Sequence, residues 1–289
     1  MRRHVRVGNG TPPPDGRGGR IDGVADGASA IEARRRSGGG GVTTLRVELR
    51  GKRFPPVGSA PARHALGAVS FSVRAGERVA IVGPSGCGKT TLLNLVAGLD
   101  PDFEGRIERP PPPIGYVFQE PRLLPWRTVA DNLRFVLGDV PDAEARIGRA
   151  LAEVELPDVA PVYASRLSLG MARRVALARA IVVRPSLLLL DEPFVSLDQP
   201  TGERLRLLVL ELLEKHAITA LLVTHDLREA VMLAERILVL SASPGRLLGE
   251  LAVTLDPAAR RDPAEVEALY RELREAAHAL LAPAAEQPA

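Results

Sequence analysis

Cysteine is almost missing from this chain. Cys87 stands alone, which excludes an intrachain disulfide and any metal site built on several thiolates, and it gives no sign of export. Long apolar runs are lacking too. The most apolar stretches, Leu187–Leu190 and Ile218–Val223, fall far short of the roughly eighteen residues a membrane span requires, so the chain is not expected to cross a bilayer by itself. No apolar segment follows Arg2-Arg3, as a twin-arginine export signal would demand, and the protein is read as cytoplasmic. Surplus charge is also scarce once it is located. Residues 1–41 hold eight arginines against four acids, a surplus of four, while the whole chain carries +3; the remainder is therefore at −1. The basicity belongs to a tail, no broad basic face is implied, and a nucleic-acid partner is not expected.

What is present organises itself along 289 residues, of which 45% are hydrophobic, enough for a sizeable core. Residues 1–41 contain eleven of the 27 glycines with Pro12-Pro13-Pro14 and Arg34-Arg35-Arg36, and too few large apolar groups to offset the entropy of ordering; a disordered tail is expected there. From residue 42 the pattern changes. Leu45–Leu49 and Val69–Val73 alternate like half-buried strands, and Val79–Val82 is a short apolar strand entering a glycine-rich turn. A helix is predicted from Lys89 to Ala97, closed by Gly98, and two short strands within 105–118 are separated by Pro110–Pro113. Thr128–Glu155 reads as helical, with Thr128 and Asp131 spaced as a cap. Helix 171–183, strand 187–190, helix 201–215, strand 219–223, helix 227–234 and strand 237–240 follow. Fully apolar strands alternating with helices indicate a parallel sheet covered on both faces. A last helix, 263–281, begins with Asp262 as cap and Pro263 at its first position, and its Val266, Leu269, Tyr270 and Leu273 stripe is expected to pack on the body.

Two segments carry chemistry. Gly83-Pro84-Ser85-Gly86-Cys87-Gly88-Lys89-Thr90, followed by Thr91, fits a phosphate-binding loop between a strand and a helix. Glycines let backbone N–H groups turn inward around phosphate oxygens, and the helix presents its positive end to them. Lys89 adds a cation for the β- and γ-phosphates, and the Thr90 hydroxyl can ligate Mg²⁺. Further along, Leu187–Leu190 buries a strand and delivers Asp191 to its C-terminal end, where ligands gather in open α/β sheets. There Asp191 can hold Mg²⁺, and Glu192 can polarise an attacking water. The bland alternative is a core strand ended by solvated acids.

Four further pieces then occur in order: Gln119 after Tyr116-Val117-Phe118; Leu167-Ser168-Leu169-Gly170-Met171 leading into Arg173-Arg174-Val175-Ala176; Ser196-Leu197-Asp198; and His225 in Val223-Thr224-His225-Asp226. Singly, each has an ordinary reading: a surface glutamine, a solvated arginine face, a structural histidine. Together, over roughly residues 43–250, they resemble the ATP-binding subunits of ABC transporters. The resemblance implies an α/β P-loop NTPase of the ABC type: a mostly parallel sheet with an antiparallel β subdomain and a helical subdomain at about 120–183, within an ATPase domain spanning 42–255 and followed by a C-terminal helix and tail over 256–289. It implies ATP and Mg²⁺ as ligands. It also implies a head-to-tail pair of such subunits, in which Ser168 and Gly170 of one signature loop meet the γ-phosphate held by the other subunit. On this reading Gln119 links the metal site to the helical region, His225 contacts the γ-phosphate, and Phe54 in Lys52-Arg53-Phe54 is the candidate for stacking on adenine.

This chain departs from the family's usual signature by having Leu169 where a second glycine stands. A leucine resists a positive φ, so slower turnover is expected. The run Gln119-Glu120-Pro121-Arg122-Leu123-Leu124-Pro125-Trp126 and the segment Asp191-Glu192-Pro193-Phe194 are similar to the bacterial import branch serving nitrate, taurine and aliphatic sulfonates. That resemblance implies an integral membrane permease and an extracytoplasmic binding protein as partners, at the cytoplasmic face of the inner membrane. Trp126 either faces the permease or fills a buried gap. An export or lipid-trafficking subunit, or an ABC ATPase outside transport, stays open at this point.

Overall fold

The computed structural model describes residues 7–9, 43–56, 58–59 and 61–282. Strands β10 (Arg236–Leu240), β5 (Arg78–Val82), β9 (Ala220–Thr224), β8 (Leu187–Asp191) and β7 (Ile114–Val117) lie side by side in that order, all parallel. Every residue of β5, β8 and β9 is buried, as a parallel sheet covered on both faces requires. Side chains alternate between two cores. Ile81, Leu187, Leu189, Leu221, Val223 and Leu238 point toward α1 (Lys89–Ala97) and a second, antiparallel sheet. Ala80, Val82, Leu188, Leu190, Leu222 and Val239 point the other way, toward α5 (Gln199–Lys215), α6 (Leu227–Leu233) and α7 (Pro263–Leu281).

The antiparallel sheet is organised by β2 (Thr43–Phe54), which pairs with β3 (Arg63–Leu66), β4 (Val69–Arg74) and β6 (Glu104–Glu108). Strand β11 (Leu247–Ala252) turns back antiparallel on β10, and β1 (Val7–Asn9) adds to its outer edge. Neither β3 nor β11 was legible beforehand, because Gly249 and Glu250 interrupt any alternation in β11. The reading of residues 1–41 as a disordered tail falls outside the described residues except at Val7–Asn9, which form that edge strand instead. The unpaired backbone groups of β11 offer it a template.

Helices α2 (Val129–Leu137), α3 (Ala143–Glu153) and α4 (Leu169–Ile181) complete the fold. The single helical stretch expected over Thr128–Glu155 is corrected to two helices. Gly138, at φ 65°, ends the first, and Pro141 disfavours resuming at once. Thr128 and Asp131 form a reciprocal capping box on α2. Asn132, 1% exposed, accepts from Leu124 N at 2.7 Å and donates to Leu124 O at 3.2 Å, pinning the segment that runs from Gln119 to the helix. On α7, Leu269 and Leu273 are buried, with Val266 and Tyr270 packed beside them. Just before it, buried Arg260 donates to the carbonyls of Val231, Met232 and Ala234 at the C-terminal end of α6. Burial pulls its pKa down to about 10. Among the described residues no helix is long and apolar enough to cross a membrane.

Candidate active site

Residues 83–88 turn over the C-terminal edge of the sheet between β5 and α1. Gly88 begins the helix at φ 101°, and a Cβ there would meet Ala65 O and Leu66 Cδ2 at 2.7 Å each. Only glycine allows both that backbone and that approach. Cys87 is fully buried beneath the loop, and burial raises its thiol pKa, which keeps it neutral. Pro84, Ser85, Gly86 and Thr90 are exposed along the rim, while Thr91 is half-buried. Lys89 is 5% exposed; its ammonium curls back into the loop and donates to Gly83 O at 2.9 Å and Pro84 O at 3.1 Å.

Strand β8 brings Asp191 to the same place. Thr90 Oγ1 donates to Asp191 Oδ1 at 3.1 Å. Asp191 is 2% exposed, and its desolvation pushes the carboxyl above the usual carboxylate range, a cost that a bound cation would reverse. This hydroxyl–carboxylate pair fits Mg²⁺, a hard cation that takes oxygen donors and keeps only one or two protein carboxylates beside substrate phosphates. Among the described residues no cluster of three or more His, Cys, Asp or Glu offers a competing metal site.

Glu192 has φ 44°, a left-handed conformation that is costly for a side chain of this size. One carboxylate oxygen lies 4.0 Å from Lys89 Nζ and the other 3.3 Å from His225 Nδ1. The histidine comes from the loop between β9 and α6 and is 56% exposed. Gln119 completes the group: it lines a cavity of about 390 Å³ together with Thr90, Asn94, Asp191 and Ser196. Four distant segments thus converge on one edge of the sheet. Phe54, half-buried at the end of β2, stands opposite Arg63, whose guanidinium donates to Gly86 O at 3.1 Å. The Lys52 ammonium lies 4.7 Å from the centroid of its ring.

Ser168 and Gly170 do not join this group. Ser168 caps α4, accepting from Met171 N at 3.3 Å, and is exposed. Gly170 lies against Thr201, whose methyl would stand 2.9 Å from an added Cβ. The strain expected at Leu169 does not arise. Leu169 is the first residue of α4, with no positive φ, and its side chain is 45% exposed beside Ser168. Two alternatives left open by the sequence are decided by the side chains. Trp126 is 69% exposed and is not a buried filler. Arg173 does not belong to a solvated face: it is 6% exposed and reaches the segment after Glu192. Arg122, to which the sequence pattern assigns no role of its own, lines the same cavity with its guanidinium over the face of Phe118. An arginine in an ordinary helix or loop run carries no signal that it turns inward.

The family model described as ABC transporter matches residues 66–195. The aliphatic sulfonates import ATP-binding protein SsuB 2 of Burkholderia lata is 47% identical over 209 residues, covering 70% of this chain and 77% of that protein. The chain belongs to the ABC transporter ATP-binding family. Its homologue of the same name in Pseudomonas syringae pv. tomato is 47% identical over 196 residues, covering 68% of this chain and 84% of that one. Among solved structures, the ATP-binding cassette MJ0796, dimeric in a post-hydrolysis state with ADP and Pi, aligns with a TM-score of 0.65 at 30% identity. It covers 74% of this chain and 100% of that one. The protein is therefore an ABC-type ATPase with the α/β P-loop fold of that family, and the convergence of Lys89, Asp191, Glu192 and His225 lies at the edge where such a fold binds its ligand.

Proposed function

We propose that this ABC ATPase, through a domain spanning about residues 42–255, energises the import of an organic sulfonate or a related small anion such as taurine or nitrate. The observation that carries the catalytic part is the Glu192 carboxylate held between Lys89 and His225 above the Thr90–Asp191 pair. The loop N–H groups and Lys89 would hold the β- and γ-phosphates of ATP. Thr90 and Asp191, with Gln119 nearby, would hold Mg²⁺, which when bound neutralises charge on the phosphate oxygens. Glu192 would accept the proton of the attacking water, and His225 would orient it beside the γ-phosphate. Phe54 would support the adenine.

The exposed N-terminus of α4 supplies what this half lacks. Its Ser168 hydroxyl and Gly170 backbone would close on the γ-phosphate of a second subunit in a head-to-tail dimer. For the transport partner, Trp126, Phe135 (75% exposed) and Val136 (40%) lie on the helical region, the latter two lining a groove of about 380 Å³ with Phe118 and Leu124. Exposed apolar residues around a groove suit a helix of a membrane permease. An extracytoplasmic binding protein would deliver the anion, and the ATPase would sit at the cytoplasmic face of the membrane with no nucleic acid involved. The names of the relatives support the sulfonate class.

Growth tests the assignment. A deletion strain, or one carrying Lys89→Ala, is grown with taurine, an alkanesulfonate or sulfate as sole sulfur source, and with nitrate or ammonium as sole nitrogen source. Loss of growth on an organosulfonate alone, restored by the wild-type gene, is the expected result. Loss on nitrate alone redirects the substrate, and growth on every source in a strain without redundant uptake overturns the import reading.

A further inference from the structure

We infer that Arg173 is a positioning residue for hydrolysis, holding the segment after Glu192 to the signature helix of the same subunit. The inference rests on the reading of Glu192 as the group that polarises water.

The segment in question is strained at both ends. Glu192 at φ 44° and Ser196 at φ 61° are left-handed non-glycine residues, and such backbones persist only where their surroundings over-determine them. The ends are fixed by backbone and cap. Glu192 N donates to Val223 O at 2.9 Å, and Asp198 caps α5 by accepting from Thr201 N at 3.2 Å. Between them, the side chain of Arg173 donates from Nη1 to Pro193 O at 2.7 Å and from Nη2 to Val195 O at 2.5 Å. The two carbonyls flank buried Phe194, so one planar fork fixes the segment on both sides of that ring. The guanidinium is buried, and desolvation lowers its pKa. Hydrogen bonds from a buried charge are the strong kind, and they are lost whole when the charge is removed.

The fork starts from α4, five residues after Ser168, which at the rise of a helix is about 7.5 Å along the axis. Gly170 ties the same helix to Thr201 by close contact, just beyond Asp198. The helix whose tip serves the partner's nucleotide therefore also holds the segment that shapes this subunit's own hydrolytic carboxylate. Displacement of α4 on closure of the dimer reaches Glu192 through Arg173. This places in one side chain a link between the two ATP sites.

The test uses the full-length ATPase with MgATP, comparing Arg173→Ala, Arg173→Lys and Arg173→Gln with Glu192→Gln as the reference. Arg173→Ala is expected to lower kcat about tenfold with KM for ATP within about twofold, because positioning and not nucleotide binding is lost. Arg173→Lys, a point donor able to serve one carbonyl, should regain part of the rate, and Arg173→Gln less. Amide exchange should accelerate over 192–198 while α1 and its loop keep their protection. Wild-type kcat in Arg173→Ala overturns the inference. So does a loss in which KM rises in proportion and protection falls throughout α4, since that is a merely structural role. If Glu192→Gln keeps wild-type hydrolysis, the underlying reading of Glu192 fails instead, and the two failures are told apart in the same assay.

Discussion

The phosphate-loop edge and the tip of α4, the two parts proposed to close on a nucleotide, are built in opposite ways. The phosphate loop with Asp191 and Glu192 sits at the ends of buried parallel strands; Lys89 is 5% and Asp191 2% exposed, and each polar group already has a partner within the chain. The signature end is a bare helix tip. Ser168 is exposed, Leu169 is 45% exposed, and the serine bonds only within its own helix. Burial makes the first half rigid and specific before any ligand arrives, at the cost of desolvating charges that a phosphate and a cation would recover. The second half carries no such cost alone, and on the proposed reading it acts only against a second subunit. The difference teaches where control would lie on that reading: chemistry is prepared in the fold, and its timing is left to assembly.

That contrast can be broken by mutation. The largest effect is expected from Glu192→Gln, which removes the proton acceptor but leaves the loop intact. Hydrolysis should fall on the order of 10²–10³-fold, and light scattering with MgATP should show a dimer at micromolar protein. A strict monomer there would count against head-to-tail pairing. Next comes a pair of glycine substitutions. Gly88→Ala places a methyl 2.7 Å from a backbone oxygen at φ 101° and should cost about 2–4 kcal/mol of stability in urea unfolding. Gly170→Ala meets only a threonine methyl in a helical backbone and should fall within about 1 kcal/mol of wild type. Equal costs would erase the distinction between a built and an open half.

Ser168→Ala should leave ATP affinity of the monomer within about twofold while slowing hydrolysis about tenfold, as measured by titration and phosphate release. Loss of affinity in the monomer would show that the signature end already serves its own nucleotide. The smallest effect concerns the frame under His225. Glu229 accepts from the Thr224 hydroxyl, and burial raises its pKa above the usual carboxylate value, opposed by that bond and by Arg206. As pH rises above about 4.5, the unfolded chain gives up this proton before the native one does, so stability falls across the window up to the raised native value. Glu229→Gln should flatten that slope in melting temperature between about pH 4 and 7.

Much of this half-and-half design was legible because it rests on short-range pattern. The apolar strands 79–82 and 187–190, the helix closed by Gly98, and the Thr128–Asp131 cap each depend on neighbours a few residues apart. Illegible features depended on what approaches from far away. Strand β11 follows from an edge that β10 offers, not from its own alternation; Gly138 is the exception, breaking the stretch over 128–155 by local chemistry that the helical periodicity hid. Leu169 shows the opposite error: a family habit suggested a strained backbone, whereas an ordinary helical start accommodates it.

By itself the sequence determined the phosphate loop, the acidic pair after a buried strand, the order of the motifs and so the chemistry, since residue type and spacing along one chain are enough to specify a loop, a strand end and a cap. Only the tertiary structure decided which of those residues meet. The 4.0 Å and 3.3 Å approaches of Lys89 and His225 to Glu192, the burial of Arg173 and the exposure of Trp126 all join or separate segments tens of residues apart. Such contacts are set by how sheet and helices pack, a property of the whole core that no local pattern encodes.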